Sequence, residues 1–106
     1  SMGLFSKKKK EPIEETIVEV PKPSGDEVGR YKTLVEACNV ASKYCSKWVF
    51  KGDTSEIYDA SALIGMAKIN DEDYQLDDDG YYVVLSDGSI GEKFEYDTDW
   101  LFTPIR

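Results

Sequence analysis

The chain contains no histidine. That absence removes at once the commonest general base, the commonest zinc ligand and every histidine-dependent catalytic triad. Basic residues are also scarce: 13 Lys and Arg stand against 21 Asp and Glu, giving a net charge of −8 and an isoelectric point near 4.5. An affinity for DNA or RNA backbone, which needs an excess of Lys and Arg, is therefore not expected. No apolar run approaches the ~20 residues that span a bilayer, and no signal-peptide pattern is present, so the sequence reads as that of a cytoplasmic protein. Cysteine is nearly absent too. Cys38 and Cys45 are seven residues apart in a segment that reads as helix, about 10 Å along its axis, which is beyond disulfide reach. They are expected to be reduced and packed.

Chemistry-bearing motifs are missing in the same way. The acidic run around Gly80 resembles a calcium loop at first sight. With Gly80 at the sixth position, however, Gln75 falls at the first and Ser86 at the twelfth, where carboxylates are required. Ser and Cys nucleophiles lack a His partner, no glycine-rich phosphate loop follows a strand, and nothing in the spacing of the acids selects a pair. The expectation is a protein that is not an enzyme, with no catalytic residue, no metal and no cofactor.

With 106 residues the chain is one small domain. Ser1 before Met2 reads as a cleavage scar. Gly3-Leu4-Phe5-Ser6 misses a myristoylation signal because Lys7 stands where Ser or Thr is needed. Lys7–Lys10 beside Leu4 and Phe5 can touch an acidic membrane, but one weak signal gives no stable anchoring. Residues 1–25, with Pro12, Pro21 and Pro23, read as a flexible basic tail. Residues 26–106 read as a single α+β ligand-binding domain, in which eight basic residues face seventeen acidic ones, a net of −9.

Ser24 and Glu27 form a capping-box pattern, and Val28, Tyr31, Leu34, Val35, Cys38, Ala41 and Cys45 recur at three- and four-residue steps. This predicts one long helix from Asp26 to Ser46. Lys47 to Lys51 reads as a short strand. Thr54 to Ile69 is ambiguous and leans slightly to helix. Tyr81 to Leu85, Asp87-Gly88 and Ser89 to Tyr96 predict a hairpin with a type I′ turn, Tyr74 to Leu76 a pairing strand, and Trp100 to Phe102 a last strand ending at Pro104. The expected fold class is α+β, one long N-terminal helix packed on a four- to five-stranded antiparallel sheet.

Aromatic residues interleave with isolated cations in two places. Trp48 lies between Lys47 and Lys51, and Lys93-Phe94 precedes Tyr96-Asp97-Thr98-Asp99-Trp100. Aromatic faces stack a base for about 1–3 kcal/mol, and ammonium groups meet phosphates. The candidate ligand-binding residues are Trp48, Lys51, Lys93, Phe94, Tyr96, Asp97, Thr98 and Asp99.

The helix segment Tyr31 to Lys47 followed by Trp48, and Asp87-Gly88-Ser89-Ile90 leading through Phe94 to Thr98-Asp99-Trp100-Leu101, resemble the phage Thoeris anti-defence protein two family over about Tyr31 to Leu101. The resemblance implies a sponge: a viral protein of the infected bacterial cytoplasm that binds a nucleotide immune signal, a cyclic ADP-ribose derivative or a cyclic dinucleotide or oligonucleotide, and sequesters it without cleaving it. It also implies a homo-oligomer, a dimer or tetramer, with sites at or near subunit interfaces. A folded part of 81 residues has little room for a deep private pocket, which favours the same arrangement. Two other readings stand beside it. One is an acidic protein-binding inhibitor of a host factor, motivated by the net −9. The other is a small virion or assembly component.

Overall fold

A computed structural model describes residues 22–105; up to residue 21, the expected tail lies outside the described residues. The chain runs β1 (Glu27–Tyr31), α1 (Leu34–Ala41), β2 (Lys47–Phe50), β3 (Asp53–Asp59), α2 (Ala60–Asp73), β4 (Tyr81–Leu85), β5 (Ile90–Phe94) and β6 (Asp97–Pro104). All six strands form one antiparallel sheet in the order β1-β4-β5-β6-β2-β3. Two short helices replace the single long helix expected on four or five strands, so that expectation is overturned.

The reason is local. The Ser24/Glu27 pattern predicts a helix over residues 27 to 31, but they pair with β4, Arg30 opposite Val83 and Tyr31 opposite Tyr82. A helix through Gly29 would carry about 1 kcal/mol of glycine cost. In the strand, the space of the missing Cβ is taken by the Tyr31 hydroxyl. The working capping box lies nine residues later: Thr33 Oγ1 accepts from the Glu36 N–H at 3.3 Å and donates to the Glu36 carboxylate at 2.8 Å. The ambiguous stretch resolves as strand β3 followed directly by α2, with Asp59 capping the helix through the Ala62 N–H at 2.8 Å. Tyr74 to Leu76 forms no strand.

The Asp87-Gly88 hairpin is present, but its loop is longer than a two-residue type I′ turn. Leu85 N–H donates to Ser89 O at 3.0 Å and Gly88 N–H to Leu85 O at 2.9 Å, leaving three residues between the paired ends. Gly88 sits at φ +97°, the left-handed position that closes such a loop.

Both helices pack on one face of the sheet. Their Leu34, Ala37, Cys38, Ala41, Leu63 and Ala67 join Trp48, Tyr82, Val84, Ile90, Leu101 and Phe102 in a single core. A polar seam ties the two helices together: the Asp71 carboxylate of α2 accepts from the Leu34 and Val35 N–H groups of α1 at 3.0 and 2.9 Å. Asn70 donates to Asp71 at 3.1 Å and to the Tyr82 hydroxyl at 3.2 Å. Asp71→Ala strips two N–H groups at the start of α1 of their partner, and a urea titration should show a loss of about 1–2 kcal/mol.

Candidate functional site

Cross-strand partners share a face, so the register sorts the side chains. Arg30, Val83, Gly91 and Trp100 align across β1, β4, β5 and β6, and Tyr81, Lys93 and Thr98 form the next row. None of the seven belongs to the core beneath the helices. The Arg30 guanidinium lies 4.6 Å over the Tyr81 ring, and the Glu27 carboxylate grips it from the side at 2.5 Å. Gly91 makes this face flat where it matters: a Cβ there would come within 2.8 Å of the Trp100 ring and of the Thr98 methyl. The Trp100 indole therefore lies against bare backbone.

Beside Trp100 the sheet has a notch. β2 pairs with β6 only at residues 102 to 104, then turns at Lys51-Gly52, while β6 continues out to Asp97 alongside β5. Lys51 takes φ +47° and its N–H donates to Leu101 O at 2.9 Å, which anchors the turn. The resulting shallow recess of about 440 Å³ is lined by Lys22, Pro23, Lys51, Gly52, Asp99, Trp100 and Thr103. Lys22 and Pro23 arrive there because the segment that follows is fastened to the β4–β5 loop: Ser24 N–H donates to Asp87 at 3.0 Å and Asp26 N–H to the Ser86 hydroxyl at 3.0 Å. Lys51 Nζ lies 3.2 Å from Asp99 Oδ2, an ion pair with both side chains about half exposed. Such a pair contributes about 1 kcal/mol at most, so Lys51 is readily redirected to an anion.

The eight expected ligand residues do not form one cluster. Trp48 is fully buried in the core, its Nε1 donating to Gly88 O at 2.8 Å, and offers no face to a ligand. The sequence could not show this because every residue from Trp48 to Phe50 is apolar, leaving no alternation to say which one faces inward. Lys51 and Asp99 do meet, in the recess. Lys93 and Thr98 are register partners on the helix-free face, while Phe94 and Asp97 are partners near the hairpin tip, where Tyr96 is 94% exposed. Trp100 closes the second aromatic–cation run of the sequence but is not among the eight expected ligand residues; its place in the notch depends on the long-range pairing of β6 with β2.

Cys38 is an unsuitable nucleophile: burial, with the nearby Asp71 charge, pushes its thiol up to about 12. The described residues contain no group of three or more acidic or cysteine side chains placed to hold a metal ion. No helix is long and apolar enough to cross a membrane. Neither a family model, nor a curated protein, nor a solved structure matches the chain.

Proposed function

We propose that the protein is a non-catalytic sponge for a nucleotide-class signal of the cyclic ADP-ribose or cyclic dinucleotide type, held at the Trp100 recess. The observation that carries this reading is the indole laid against Gly91 beside two lysines, Lys22 and Lys51. A purine stacks on the indole, phosphates meet the two ammonium groups, and Asp99, released from Lys51, accepts from an amino or hydroxyl group. The recess is open to solvent in one protomer. Sequestration at nanomolar affinity, about −12 kcal/mol, needs an enclosed ligand, so the reading includes a second copy of the chain closing over the notch.

Calorimetry of the full chain against cyclic ADP-ribose isomers and cyclic dinucleotides tests this. Binding to at least one member is expected, with Trp100→Ala weakening it tenfold or more and leaving the ligand chemically intact. Silence across the panel, or a Trp100→Ala variant that binds like the parent, rejects the reading.

A further inference from the structure

The described sheet has three open strand edges, and two of them are blunted. Outer strand β1 breaks register between Glu27 and Gly29. Outer strand β3 pairs with β2 at Ile57 to Asp59 and then jumps to Asp53, which leaves residues 54 to 56 out of step. Such irregularities protect an edge against further pairing. The third edge lies in the notch. β2 reaches along β6 to Phe102, with one more bond from the Lys51 N–H to Leu101 O. Asp97 to Trp100 pair with β5 without a break, from Phe94 opposite Asp97 to Gly91 opposite Trp100. On their other side these residues have no strand partner among the described residues. Their free backbone groups are a template for one more strand.

The strand that fits is the same segment of a second copy. A two-fold axis through the sheet runs the two segments antiparallel and keeps both sets of helices on one face. Because side chains alternate, this holds only when the numbers of paired residues sum to an even value. Pairing Asp99 with its own copy drives Asp97 onto Leu101, the place taken by the Lys51 turn. Pairing Thr98 with its own copy fills the notch and stops short of that turn. In this register Asp97 stands opposite Asp99 of the second copy, a repulsion that Lys51, 3.2 Å from Asp99 in its own protomer, offsets in part. Tyr96 of the second copy falls opposite Trp100. In one protomer Tyr96 is 94% exposed, beside Glu95 at φ +56°, a conformation unusual outside glycine and asparagine. The join gives that outlying ring a neighbour. It also places Lys93 of each copy in one row with the two threonines.

We propose that the chain dimerises by pairing Asp97 to Trp100 of β6 with the same segment of a second copy, so that Tyr96 of the second copy completes the Trp100 recess. This gives the second copy of the sponge reading a surface and a residue; its bearing on a ligand rests on that reading, the pairing itself does not. Sedimentation equilibrium of the full chain, without any ligand, should show a dimer. In a sample mixing carbon-13-labelled and unlabelled copies, isotope-filtered NOEs should join Tyr96 of one copy to Trp100 of the other. Within one chain the two residues are four apart on an extended strand, about 13 Å, which is too far for an NOE. Asp97→Asn removes the opposed carboxylates and should tighten the dimer roughly twofold to tenfold, while Tyr96→Ala should weaken it by a similar factor. A monomer at millimolar concentration, a dimer without the Tyr96–Trp100 NOE, or an Asp97→Asn variant that associates no better than the parent overturns the proposal. A dimer with that NOE supports the pairing even where the nucleotide panel is silent, so the two readings fail separately.

Discussion

Trp48→Ala should cost about 3–5 kcal/mol in urea or thermal unfolding, the range for removing a large buried ring from a packed core. The indole is completely enclosed, and its loss also leaves the Gly88 carbonyl without its 2.8 Å donor. A domain of this size has a total stability on the order of 5–10 kcal/mol, so the variant should stand near the edge of unfolding at room temperature. Trp48→Phe separates the two contributions: it keeps most of the ring and loses the N–H, and should cost roughly 1–2 kcal/mol plus a smaller packing loss. A Trp48 that stacked on a ligand would behave oppositely, losing affinity with stability unchanged.

Gly88→Ala is expected to be the second most damaging change, at about 2–4 kcal/mol. A side chain at φ +97° is strained, by about 1–2 kcal/mol for an L residue. The new Cβ would also stand 2.5 Å from Cys45 Cβ, and Cys45 belongs to the link between α1 and β2 that cannot retreat freely. Relief of such overpacking typically costs a further 1–3 kcal/mol or so. Cys45→Gly removes the obstructing atom. In a double-mutant cycle by urea unfolding, the Gly88→Ala penalty should therefore shrink by about 1 kcal/mol or more in that background, leaving the dihedral strain. An equal penalty in both backgrounds would show that strain alone acts at Gly88.

These two residues illustrate what could be read from the chain and what could not. Asp87-Gly88 between Tyr81–Leu85 and the run from Ser89 marks a hairpin because a left-handed glycine and two β-rich flanks are a local signal. The same locality misled at residues 26 to 31. Ser24 and Glu27 satisfy the spacing of a cap, while the partner that makes β1 a strand is β4, more than fifty residues onward. Thr54 to Ile69 was undecidable for a related reason, since a strand and a helix abut there with Asp59 serving both. At the candidate site, Lys51 and Asp99 were named from composition, yet their meeting, and the role of Trp100 beside them, depend on β6 running past the end of β2. Composition nominated the chemical types, and long-range pairing decided which of them stand together.

The sheet order carries one more consequence. β1, β4 and β5 form one half of the sheet and the β2–β3 hairpin the other, and β6 is the strand that pairs with both. During synthesis the two halves emerge from the ribosome without a shared neighbour, and only when Pro104 clears the exit tunnel can the keystone be set between them. Until β6 is in place the facing edges of β5 and β2 have no partner, so closure of the sheet waits on that one strand.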